Sequence, residues 1–90
     1  MKNVIYKYEE RVGSDTTILQ LPIGAKILTT QVQNNIIYFW IQINPSEVEI
    51  EQRVIRKIAT GQKFDSTKTE HIYVGSVQQG PYVWHYFEVL

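Results

Sequence analysis

The longest apolar run of the chain, Ile36-Ile37-Tyr38-Phe39-Trp40-Ile41, admits few structures. It is far shorter than the roughly 20 apolar residues of a membrane-spanning helix, and it is made of the β-branched and aromatic residues that strands favour. Asn34-Asn35 stand directly before it. Asn tolerates positive φ, so the pair predicts a tight type I′ turn between paired strands. Lys26–Gln33 and Ile36–Ile43 then form a hairpin. On the return strand Ile37, Phe39, Ile41 and Ile43 share one face, and Ile36, Tyr38 and Trp40 the other. A strand apolar on both faces is central in its fold or covered by something else. Strict alternation on the outgoing strand puts Ile27, Thr29, Gln31 and Gln33 on one face, with Leu28, Thr30 and Val32 opposite.

The same β-rich runs, bounded by turn residues, recur along the chain. Val4–Tyr8 reads as a first strand and Thr16–Leu21 as a second, separated by a turn at Gly13-Ser14-Asp15. Leu21-Pro22-Ile23-Gly24-Ala25 is a turn, because Pro fixes φ and Gly accepts positive values. His71–Gln78 and Tyr82–Val89 make a second hairpin across Gln79-Gly80-Pro81, and Phe64–Glu70 reads as an irregular polar loop. The segment 47–59 supports two readings. Ile50, Val54 and Ile58 at i, i+4 spacing, with Ser46 and Glu49 as a capping box, support a helix. Val54, Arg56 and Ile58 alternating within Arg53–Thr60 support a strand. The expectation is a single all-β domain over 1–90, a small antiparallel sandwich or barrel of six or seven strands. One short helix near 47–59 would make it α+β.

Composition removes several classes of function. The chain has 90 residues and no cysteine, so no disulfide staples it. Absence of Cys fits a cytoplasmic protein. His71 and His85 are the only histidines, and their spacing matches no zinc pattern. Nine basic and nine acidic residues balance, whereas a duplex nucleic-acid binder carries a basic excess. No signal peptide and no membrane segment is expected.

No catalytic constellation emerges either. Ser46, Ser66 and Ser76 lack the base and orienting acid that nucleophilic catalysis needs. Glu47, Glu49 and Glu51 alternate, but an acidic run beside Pro45 reads first as a solvated loop or a protected strand edge. Arg53, Arg56 and Lys57 are the basic cluster, either paired with neighbouring glutamates or clamping an anion. On the last strand Tyr82, Trp84 and Tyr86 lie on one face; Val83, His85, Phe87 and Val89 lie on the other. Such bulk on both faces predicts a core on one side and an interface or stacking surface on the other. His85, set among apolar residues, is expected to be partly buried with a hydrogen-bonded ring. No enzyme, metal or cofactor is expected.

Leu21-Pro22-Ile23-Gly24-Ala25-Lys26-Ile27-Leu28 is followed by Gln31-Val32-Gln33, Trp40, Tyr73-Val74-Gly75-Ser76-Val77 and Val83-Trp84-His85-Tyr86-Phe87-Glu88. With this set the chain resembles a family of short, mostly uncharacterised phage and prophage proteins. It departs from the usual pattern at Tyr86 and around Glu47–Glu51. The resemblance implies a small β protein of viral origin, expected in the cytoplasm of the host cell, and carries over no catalytic residue. In that context the expected role is binding, foremost counter-defence by sequestering a nucleotide immune signal. Tyr38, Trp40, Trp84 and His85 would stack on or contact the base, Arg53, Arg56 and Lys57 would hold phosphates, and the pocket would form in a homo-oligomer. The alternative is a protein-interaction module that inhibits a host defence protein or serves in phage assembly.

Overall fold

Seven strands build the domain, and β4 (Ile36–Ile43) is the central strand of the smaller of its two sheets. The computed structural model describes residues 2–67 and 69–90. Around β4 lie β1 (Val4–Glu9) and β3 (Lys26–Gln33), in the order β1-β4-β3. The second sheet holds β2 (Thr16–Pro22), β5 (Ile50–Ala59), β6 (His71–Gln79) and β7 (Tyr82–Val89), in the order β2-β5-β7-β6. Every pairing is antiparallel. The architecture is therefore a two-sheet sandwich and not a closed barrel. Among the described residues no helix is long and apolar enough to cross a membrane.

The two hairpins follow from their turns. Asn34 and Asn35 both have positive φ, 51° and 63°, as a type I′ turn requires. At the other hairpin Gly80 has φ 57° and is followed by Pro81, whose ring forbids positive φ. That excludes type I′ and leaves the Gly-first type II′ turn.

The helix alternative for 47–59 is overturned: Ile50–Ala59 is a strand with no helical turn. The i, i+4 spacing of Ile50, Val54 and Ile58 is also an even spacing, so it places all three on one face of a strand. β2 pairs with Ile50–Arg56 on one side and β7 with Val54–Ala59 on the other, so each residue of the strand has a partner on at least one edge. The facing predicted for β3 fails at Leu28. The register to β4 shifts between Ile27 and Thr29. The extra residue of such a bulge reverses the alternation, so Ile27 joins Thr30 and Val32 on the inner face. Leu28 is left 42% exposed.

The core fills the space between the sheets. Ile37, Phe39, Ile41 and Ile43 of β4 meet Leu21, Ile55, Val77 and Tyr86 of the larger sheet. Phe39 sets its ring edge-on to Tyr86, 5.1 Å between centroids. The layers close most tightly where β3 passes β6. A Cβ on Gly75 would lie 3.2 Å from Thr30 Cγ2, tighter than an ordinary contact, so a side chain there requires Thr30 to give way. Ile58 is 3% exposed yet stands outside this core. It faces the other side of β5, where it pairs with His85.

Candidate functional site

The register assigns each expected site residue to a face. Tyr38 and Trp40 point outward from the smaller sheet, where they pair with Gln31 and Thr29 of β3 and with Glu9 and Lys7 of β1. The Lys7 ammonium sits 4.4 Å over the Tyr38 ring and donates to Gln33 Oε1 at 3.0 Å. Trp40 Nε1 donates to Gln31 Oε1 at 2.9 Å. These polar stems dress the outer aromatic face of β4 in place of a third layer.

Arg53 and Lys57 point inward, on the same face of β5 as the buried Ile55. Arg53 grips the buried Glu88 with two guanidinium nitrogens, Nε on Oε2 and Nη2 on Oε1 at 2.9 Å. Its Nη1 donates to the Ala25 carbonyl at 2.7 Å and to Glu51 Oε1 at 3.2 Å. The hydrogen bond to Glu88 raises the Arg53 pKa above its ordinary value, against the opposing effect of burial. Lys57 pairs with Glu10 Oε2 at 3.0 Å and lies 4.3 Å over the Trp84 ring. Glu10, 8% exposed, also accepts the Tyr86 hydroxyl. Burial, followed by the hydrogen bond to Glu10, pushes the Tyr86 phenol far above its usual range. Trp84 is half-buried; it stacks on Tyr82 at 5.3 Å and donates to Gln79 Oε1 at 3.2 Å.

Arg56 and His85 lie on the outer face of the larger sheet. The His85 ring is half-buried and hydrogen-bonded through Nε2 to Thr60 Oγ1 at 2.7 Å, as expected for it. The seven residues thus fall on three separate surfaces. A phosphate clamp of Arg53, Arg56 and Lys57 is not assembled within one chain, because Arg56 points away from the other two and those two are held by carboxylates. Their partners are Glu88 on β7 and Glu10 just after β1, both far along the chain, so the sequence carried no local sign of the pairing. Of the alternating glutamates, Glu47 and Glu49 precede β5, and Glu51 alone is in the strand.

Two further features were missed in the sequence. The first is an aromatic group on the outer face of the larger sheet. Tyr73 pairs with Phe87 across β6 and β7, ring centroids 5.4 Å apart. Phe64, from the loop expected to be merely polar, reaches over the sheet to 5.6 Å from Phe87 and 5.8 Å from His71. Hydrogen bonds from Thr67 to Asp65 brace that loop, at 2.8 Å from the amide and 2.6 Å from the hydroxyl. They hold the Asp65 carboxyl below its usual range. Tyr73 remains 56% exposed and Phe64 38%. Ile18 and Val54, paired across β2 and β5, extend the apolar surface. The strand residues on this face include Arg56, His71 and His85 but no carboxylate.

The second feature is a cleft of about 300 Å³ at the end of the sandwich where the hairpin tips lie. Glu10 and Lys57 line it, with Val12 and Gly13 of the β1–β2 loop, Asn35 and Gln79. Gln79 Nε2 donates to the Asn35 carbonyl at 3.0 Å and ties one hairpin to the other. A shallower pocket of about 350 Å³ beside it shares Asn35 and Gln79 and reaches Tyr82. Among the described residues no group of His, Asp and Glu is placed to hold a metal ion.

With this geometry in place, the comparison with protein families is decisive at one level. The chain belongs to the family described as Domain of unknown function (DUF7352), whose model matches residues 1–90. No curated protein and no solved structure matches it. Membership leaves the role of the chain to the surfaces just described.

Proposed function

We propose that this DUF7352 domain is a non-catalytic binding module that engages a protein partner through the outer face of its four-stranded sheet. The observation that carries the reading is the partly exposed aromatic group of Phe64, Tyr73 and Phe87 on that face. Aromatic side chains are the residues that dominate protein interfaces, and Arg is enriched there with them. Arg56 is the strand cation at this surface; no carboxylate stands on the strands beside it, and the loop carboxyl of Asp65 is the acid near enough to interact with it. The matching partner offers apolar side chains and at least one carboxylate. The resemblance to phage and prophage proteins points to a host defence protein or a virion component as that partner. Sequestering a nucleotide signal is less well supported, since Arg53 and Lys57 are committed to carboxylates.

Affinity capture from host cells, comparing the parent protein with Arg56→Glu and Tyr73→Glu, separates the readings. The module reading expects one identified protein to be captured by the parent and lost with both variants. It expects no rise in melting temperature with a signal nucleotide that depends on Arg56. A nucleotide that stabilises the parent and fails to stabilise Arg56→Glu, with no partner captured, overturns it. Ligand at about 100 times its Kd would add roughly 2.7 kcal/mol.

A further inference from the structure

The cleft holds a donor and an acceptor side by side. Lys57 brings three N–H groups; one meets Glu10, and the cation also lies against the Trp84 ring. Glu10 uses Oε2 for both Lys57 and the Tyr86 hydroxyl. Its other oxygen, Oε1, takes no donor among the described residues and is not sealed from solvent. A carboxylate oxygen therefore stands open beside an ammonium with spare donor capacity, and both residues line one cleft.

The complement to adjacent donor and acceptor groups is an adjacent C=O and N–H. Both are fixed on one edge in a cis-amide, the lactam edge of a planar heterocycle. The volume, about 300 Å³, is at the small end of ligand sites and suits one ring system. Charge narrows the class further. Glu9 and Glu10 against Lys57 leave the lining with one net negative charge, which disfavours a phosphate or carboxylate.

We infer that this cleft binds an uncharged lactam heterocycle of the uracil type, its N–H on Glu10 Oε1 and its C=O on the Lys57 ammonium. The site is separate from the outer sheet face and does not depend on that face having a partner. Backbone-amide NMR titration of the whole chain with uridine tests it. The expected result is saturable shifts at Glu10, Lys57, Asn35 and Gln79. N3-methyluridine, which lacks the N–H, produces none, and uridine monophosphate binds more weakly than uridine. Lys57→Met removes binding but disturbs a buried pair, so Val12→Trp is the companion variant. Val12 is 85% exposed at the cleft, so a larger side chain there narrows the entrance without entering the core. It weakens uridine binding by about tenfold or more with the rest of the spectrum unchanged. Absence of saturable shifts, equal shifts from N3-methyluridine, or tighter binding of the phosphate-bearing form overturns the inference.

Discussion

Arg53 shows how far one residue's role depends on where its strand faces. A guanidinium 16% exposed, with its fork on a carboxylate 8% exposed, is a structural group. Removing one member of such a buried pair leaves an uncompensated charge, which costs about 3–5 kcal/mol. Arg53→Met is expected to lower stability by that amount in urea unfolding. Arg53→Met combined with Glu88→Leu recovers most of the loss, because an apolar pair leaves no buried charge. A double variant as unstable as the single one contradicts this account of the pair. Tyr86 makes a pH prediction. Its folded pKa is raised, so its contribution is complete below the ordinary phenol value and is lost as pH rises above it. In an alkaline absorbance titration one of the six tyrosines ionises only as the fold is lost. In Tyr86→Phe that late step is missing. An early, reversible titration of all six contradicts the buried hydrogen bond to Glu10.

At the scale of the strand, local chemistry was legible wherever it was local. Asn34-Asn35 and Gly80-Pro81 set their turns through their own φ preferences, and the strands beside them were readable from the sequence. The facing of β7 was readable too, since no bulge interrupts its alternation after Tyr82. Leu28 was not, because a bulge is decided by how β3 lies on β4 and not by the residues of β3 alone. β5 was ambiguous because four-residue spacing satisfies both a helix face and a strand face; pairing on both edges decided it. Gly75 belongs to the same scale. It read as part of a motif, and its setting lies across the sandwich, where a side chain would crowd Thr30. Gly75→Val is expected to cost about 1–3 kcal/mol through overpacking. A Gly75→Val protein as stable as the parent in thermal unfolding would show that β3 and β6 do not clamp the layers.

Across the whole molecule the candidate surfaces were only half legible. Composition identified the aromatic and cationic residues, but only the topology sorts them to the outer face of one sheet, the space between the sheets and the outer face of the other. Phe64 was invisible as a surface residue because its loop folds back over a strand that follows it. The chain's lack of cysteine makes the central proposal directly measurable, since one introduced thiol is unique. Tyr73→Cys and Gln31→Cys place that thiol on opposite outer faces, both exposed. Each variant carries a thiol-linked photocrosslinker and is irradiated in an extract of the cells that the proposed partner would come from. The account predicts a discrete protein adduct from position 73 and none from position 31. Adducts from position 31 alone, or from neither, would contradict it.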